Sequence, residues 1–183
     1  MKTINEIVGL MNRPFNICDA TLCLGENVAG AVFSGIEKSR IARQLDVAGV
    51  KQIMVGMPAN GQDEKVAVKN IAKMGLDASI MALCRADRAD IDACIDCGVD
   101  AVTMYVPQID SPQPQQVMGN EVIEMIQEAM DRARDQGLYI SGAVEDAVRT
   151  PLSTLINYAT LTKNHGAKRF VYWDTIGVGD PFV

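Results

Sequence analysis

Strand-like and helix-like segments alternate along this chain of 183 residues. That alternation predicts a parallel α/β fold, either an open doubly wound sheet or part of a (β/α)8 barrel. Three observations carry the prediction. Six apolar runs rich in β-branched residues recur. Most are continuous rather than alternating, as expected where both faces of a parallel sheet are buried. Five segments of helical period separate them, and helices are what must cover such a sheet.

The runs lie at residues 15–18, 50–55, 78–83, 99–106, 138–144 and 169–173, and each reads as a strand. The first helix begins at Ser34 with Glu37 three residues on, a capping-box pattern, and puts Ile41, Leu45 and Ala48 on one face before Gly49. The second covers 62–74 and stops at Gly75, and the third starts at Asp87 and presents Ile91, Cys94 and Ile95 before Gly98. The fourth, from about Asn120, aligns Val122, Ile126, Ala129, Met130 and Ala133 before Gly137; the fifth takes Thr150 as cap, Pro151 in its first turn and Gly166 after it. Residues 1–14 are a lead-in, and 15–183 form one domain.

With 48% hydrophobic and 22% charged residues the composition is that of an ordinary globular domain. No apolar run approaches the roughly 18–20 residues of a membrane-crossing helix. Seventeen Lys and Arg against 23 Asp and Glu give a net charge of −6, and the aromatics are one Trp, four Tyr and four Phe. Nucleic-acid binding thereby loses both its electrostatic drive and its stacking platforms. Residues 1–13 carry Lys2 and Glu6 and lack the features of a secretory signal, so a cytoplasmic location is expected. Five cysteines fit reduced thiols better than a disulfide framework. Cys94 and Cys97 have the spacing of a zinc knuckle, but no second pair follows and the single histidine, His165, is distant in sequence, a weak zinc signal.

In either α/β fold, function sits at the carboxyl ends of the strands, which here are residues 19–27, 56–61, 84–87, 107–114, 145–149 and 174–180. The first reads Asp19-Ala20-Thr21-Leu22-Cys23-Leu24-Gly25-Glu26-Asn27 and the last Asp174-Thr175-Ile176-Gly177-Val178-Gly179-Asp180. Together with Gly56-Met57-Pro58, Cys84-Arg85 and Glu145-Asp146-Ala147-Val148-Arg149, they resemble the homocitrate, isopropylmalate and citramalate synthase family of the DRE-TIM metallolyase superfamily, and most of all its nitrogenase-type homocitrate synthases. The resemblance runs from about residue 15 to the end, in the family's order.

What the resemblance implies is a (β/α)8 TIM barrel, incomplete as given, with about six strands and five helices. It also implies a divalent metal as cofactor, and acetyl-CoA and a 2-oxo acid as substrates of a Claisen-type condensation. The chain departs from the family at its first motif. Cys23 replaces the family's arginine, Leu24 its acidic metal ligand and Asn27 its glutamine. A leucine offers no oxygen to a hard cation, and a thiol cannot supply arginine's charged fork. The family's His-x-His ligand pair would follow Val183. The resemblance therefore implies no metal ligand within this sequence.

By the same resemblance Glu145 is the catalytic candidate; the alternative is a cap or a partner for Arg149. Thr175 matches a threonine that binds the substrate carboxylate, against a turn-forming hydroxyl. Arg85 matches a substrate-binding arginine, against a surface pair with Asp87 or Asp90. Asp19 reads as a structural cap. Cys23 is a reactive thiol or a small buried filler, and His165 interacts with a helix end. Met54 falls where many relatives carry glutamate, and Met54, Met57, Met81 and Met104 read as core. The Pro- and Gln-rich stretch 107–116 reads as an active-face loop.

The expected function is thus an acetyl-CoA:2-oxo acid acyltransferase that needs a completing segment or partner chain, in a homo- or hetero-oligomer. The rivals are a noncatalytic or regulatory subunit derived from the same barrel, or a lyase or aldolase of the superfamily. Truncation, a naturally short paralogue and a split synthase all explain an incomplete barrel.

Overall fold

Six parallel strands lie in strict sequence order in a computed structural model that describes residues 16–106 and 120–180. They are β1 (Cys18–Asp19), β2 (Gln52–Gly56), β3 (Ser79–Arg85), β4 (Ala101–Val106), β5 (Tyr139–Val144) and β6 (Arg169–Tyr172). Every neighbouring pair is parallel. A doubly wound sheet reverses its strand order at a switch point, and this one never does, which decides between the two folds left open by the pattern. The architecture is an incomplete (β/α)8 barrel: β1 pairs only with β2, and β6 only with β5.

The helices are α1 (Thr21–Leu24), α2 (Gly35–Val47), α3 (Gln62–Ala72), α4 (Arg88–Cys97), α5 (Asn120–Asp135) and α6 (Leu152–Asn164). Successive strand residues point to opposite faces, so the sheet feeds two cores. Outward residues such as Ile53, Val55, Val102 and Ile140 pack with Ala42, Ile71, Ile91 and Met130 of the helices. Inward residues Met54, Met81, Leu83 and Ala101 fill the barrel with Met57. Arg169, also inward, crosses the interior, donating through Nε to Ser141 Oγ at 3.0 Å and through Nη1 to Gln52 Oε1 at 2.7 Å.

The expected starts of β2 to β5 are early by one or two residues, and at β2 and β5 the reason is physical. Gly49 and Gly137 adopt positive φ at the ends of α2 and α5. The next residue then donates back into the helix, Val50 N to Leu45 O at 3.1 Å and Leu138 N to Ala133 O at 3.1 Å. These are Schellman caps with their apolar follower, so Val50 and Leu138 belong to the cap and not the ladder. The ladder of β1 is shorter than the expected 15–18 run and begins at its end; Phe15 and the loop 107–116 lie outside the described residues.

The Ser34–Glu37 capping box forms as expected, and Asp87 caps α4 through Asp90 N at 2.9 Å. Thr150 does not cap α6. Its hydroxyl donates to Asp146 O at 3.1 Å, and Pro151 takes the extended position before the helix. The four methionines are buried. Among the described residues no helix is long and apolar enough to cross a membrane.

The approach of α6 to β5 is set at Gly142, where an added Cβ would lie 2.8 Å from Thr162 Cγ2 and 3.0 Å from Thr162 Oγ1. Gly142→Ala should cost about 1–3 kcal/mol by overpacking, read as a lowered denaturation midpoint of the full protein at unchanged m-value.

Candidate active site

The carboxyl ends of the strands enclose a cavity of about 540 Å³. The segment after β1 contributes Cys23, Leu24, Glu26 and Asn27; the opposite wall is Tyr105, Glu145 and Trp173. A larger groove of about 960 Å³ runs between α2 and α3 on the outer surface, and its only charged lining residues are Arg40 and Arg43. The smaller cavity is the one at which strand-end chemistry converges.

Its first wall is built by one turn and by one buried lysine paired with two glutamates. Asp19 accepts from Thr21 N at 2.9 Å and Thr21 Oγ1 at 3.2 Å, an Asx turn that starts α1, while Leu22 is fully buried beneath it. Asp19 is therefore structural. Lys38, only 2% exposed, reaches from α2 to both Glu26 and Glu64 at 2.6 Å. Each carboxylate uses its other oxygen on a backbone N–H, Glu26 on Phe33 at 2.9 Å and Glu64 on Met57 at 3.2 Å. Gly56, at φ 150°, leaves room for this: an added Cβ would sit 1.9 Å from Glu64 Oε1. Burial pushes the Glu26 carboxyl up, but hydrogen bonds from Lys38 and Phe33 outweigh it and leave it below the ordinary 4.5. Burial likewise pulls Lys38 down, and its bonds to both glutamates more than offset this, raising it above 10.5.

Cys23 lines the cavity half-buried, and burial followed by the nearby Glu64 charge pushes its thiol up to about 12. It is a filler and not a nucleophile at neutral pH. The sequence alone did not mark Lys38 or Glu64 for this wall, nor Tyr105 or Trp173 for the one opposite. Lys38 follows the Glu37 of the capping box one residue on, and Glu64 opens α3 in its first turn. The signal for the pair was a lysine on the core face of an amphipathic helix.

On the opposite wall Glu145 follows β5, its N–H donating to Val106 O at 3.0 Å. Tyr105 and Trp173 pack with ring centroids 6.0 Å apart at 41°, and burial together with the Glu145 charge raises the Tyr105 hydroxyl above 10. Arg149 pairs with Asp146. Thr175 accepts from Asp146 N at 2.8 Å. Asp174 holds the loop after β6 by accepting from Val178 N at 3.0 Å and Gly179 N at 2.7 Å.

Arg85 lies at the end of β3 but not in the cavity wall. Its Nη2 and Nε donate to Asp90 at 2.6 and 2.9 Å, with Asp87 at 3.6 Å, which is the surface-pair arrangement. His165 caps α6 and meets Asp131 at 3.1 Å. Cys94 and Cys97 are buried. A divalent metal is not matched by the donors on these walls. Leu24 has no ligating atom, a thiol such as Cys23 is a poor ligand for a hard cation, and Glu26 and Glu64 are occupied by Lys38. Among the described residues no three His, Cys, Asp or Glu side chains converge to hold an ion.

Comparison with known proteins fits this layout. The family described as HMGL-like matches residues 14–183. The chain is 42% identical over 173 residues to 2-isopropylmalate synthase 2 of Caldanaerobacter subterraneus subsp. tengcongensis, covering 93% of this chain and 45% of that protein. It is 38% identical over 167 residues to homocitrate synthase AksA of Methanothermobacter thermautotrophicus (90% and 43%). With homocitrate synthase 1 of Nostoc sp. it shares 36% over 168 residues (91% and 45%). The chain thus spans less than half the length of these relatives. Among solved structures, the HMG-CoA lyase of Bacillus subtilis superposes with a TM-score of 0.76 at 13% identity, over 91% of this chain and 60% of that one, a likeness of fold.

Two outcomes follow from the first wall. Lys38→Met should destabilise the full protein by about 3–5 kcal/mol near pH 7, because two carboxylates lose their shared cation. In the wild type Glu26, being lowered, stabilises above pH 4.5 and stops doing so as pH falls through its folded value. Lys38, being raised, stabilises below pH 10.5 and stops as pH climbs through its own. Denaturation midpoints across pH 4–11 should therefore show a plateau between those limits that K38M lacks. Cys23, whose thiol burial pushes up to about 12, should resist iodoacetamide in the native protein and react after unfolding, as peptide mass spectrometry would show.

Proposed function

The chain belongs to the HMGL-like family, and on that footing we propose that the full protein condenses acetyl-CoA with a 2-oxo acid, as the names of its homocitrate and isopropylmalate synthase relatives suggest. The observation that carries the reading is Glu145, a carboxylate that follows a buried strand and opens into the strand-end cavity beside Tyr105 and Trp173.

The reaction needs a base for the acetyl methyl, stabilisation of the alkoxide forming on the ketone, and donors for the acid's carboxylate. In this reading Glu145 takes the methyl proton, and the Tyr105–Trp173 wall gives the acetyl thioester an apolar surface. Thr175, exposed on the loop after β6 and not among the cavity's lining residues, accepts from Asp146 N, which leaves its own hydrogen to donate to a substrate carboxylate. Arg85 is the second candidate for the acid, through Nη1, which bonds no described residue. The metal implied by the family would need donors from elsewhere.

Electrostatics support a completing segment or partner chain. The cavity is lined by Glu26, Glu64 and Glu145, and among the described residues Lys38 pairs with the first two. An anionic 2-oxo acid gains nothing from that lining without further positive charge. The β6 and β1 edges are where two more strands would close the barrel. An oligomer in the cytoplasm accompanies this reading.

The replaced first motif favours a second reading, a noncatalytic subunit built on the same barrel. Turnover decides between them. Coenzyme A release from acetyl-CoA should appear with one of a panel of 2-oxo acids when the full protein, with any stable partner, is assayed. Glu145→Gln should then lower kcat by about 10²–10⁴-fold with the thermal midpoint unchanged. Turnover indifferent to Glu145→Gln sinks the catalytic assignment.

A further inference from the structure

Asp146, directly after Glu145, is the one non-glycine residue with positive φ among the described residues, at 52°. An aspartate tolerates this left-handed conformation better than most residues, but at a cost in free energy. It is 4% exposed, and its Oδ1 is buried without a hydrogen-bond partner among the described residues, a further cost. Two unfavourable features at one residue, beside a candidate catalytic carboxylate, are the pattern expected where geometry serves function.

What the turn achieves is visible in its bonds. Before it, Glu145 N donates to Val106 O on the β4 side at 3.0 Å; after it, Ala147 N donates to Trp173 O on the β6 side at 2.8 Å. At the turn itself Asp146 N donates to Thr175 Oγ1 at 2.8 Å. Asp146 Oδ2 is clamped by the Arg149 guanidinium, and Asp146 O accepts from Arg149 N at 3.2 Å and Thr150 Oγ1 at 3.1 Å. The backbone of one residue therefore connects Glu145 and Thr175, which come from different strand ends. Because the N–H occupies the Thr175 oxygen as acceptor, the hydroxyl hydrogen is turned away from it, toward whatever lies opposite.

We propose that Asp146 is a positioning residue whose left-handed backbone aims Glu145 into the cavity and sets the Thr175 hydroxyl as a donor. The inference rests on the reading of Glu145 as base and Thr175 as acid-binding group. The clamp from Arg149 and the bond from Thr150 hold the turn; the carboxylate itself touches no substrate.

The test compares three variants of the full protein, with any stable partner. Gly and Asn both accept positive φ, whereas Ala resists it. Asp146→Gly and Asp146→Asn should keep kcat within about threefold of the wild type. Asp146→Ala should lower it by about 10–100-fold, the effect of a displacement on the order of 1 Å, while the KM for acetyl-CoA stays unchanged. A fully active Asp146→Ala overturns the proposal. So does loss of activity in folded Asp146→Gly and Asp146→Asn, which would assign the work to the carboxylate, and that comparison stands even if Asp146→Ala fails to fold. If the wild type condenses no 2-oxo acid, the functional reading fails separately. The positioning claim is then judged by crystal structures of the wild type and Asp146→Ala: displacement of the Glu145 carboxylate and loss of the Asp146 N to Thr175 contact support it, and unchanged positions refute it.

Discussion

The ammonium of Lys38, enclosed between Glu26 and Glu64 at 2.6 Å each, ties together the parts from which half the cavity is made. An unpaired lysine could not stay charged in that position. Its two partners belong to different strand-end segments, one after β1 and one opening α3, so neutralising the charge fixes both segments relative to α2. The bare backbone of Gly56 and the amides of Phe33 and Met57 complete the arrangement. Nothing else on that wall is anchored as strongly, since Leu24 and Asn27 are exposed and Cys23 only fills space.

The opposite wall is held by backbone rather than by charge. Glu145, which lines it, and Ala147 and Thr175 behind or beside it are each held by an N–H or an acceptor of a neighbouring strand end, and Asp174 gathers the amides of its own loop. This difference matters for chemistry. A wall fixed by ion pairing offers no spare charge, whereas a wall fixed by main-chain bonds leaves the Glu145 carboxylate lining the cavity with no ion-pair partner among the described residues.

Both walls depend on a sheet whose edges are open. Six strands in sequence order curve around an interior of methionines and Arg169, and the outer edges at β1 and β6 leave Ile17 and Tyr172 largely exposed. Parallel strands with unpaired edges are costly in water, and an interior packed from one side only is incomplete.

The pattern of apolar runs, the capping box at Ser34 and the glycine stops determined, from sequence alone, the six strands and the five helices between them, but not the one-turn helix α1 after β1. All of these are local, set by periodicity and by hydrogen bonds within a few residues. The strand-end motifs likewise marked Glu145 and Thr175 by resemblance. Tertiary structure alone decided that the sheet never reverses, that Val50 and Leu138 finish helices rather than start strands, and that Arg85 is bound to Asp90. It also brought Glu26, Lys38 and Glu64 together across 38 residues, and Asp146 against Thr175 across 29. Such contacts are made by the curvature of the sheet and by the need to compensate buried charge, and neither leaves a periodic trace in the order of the residues.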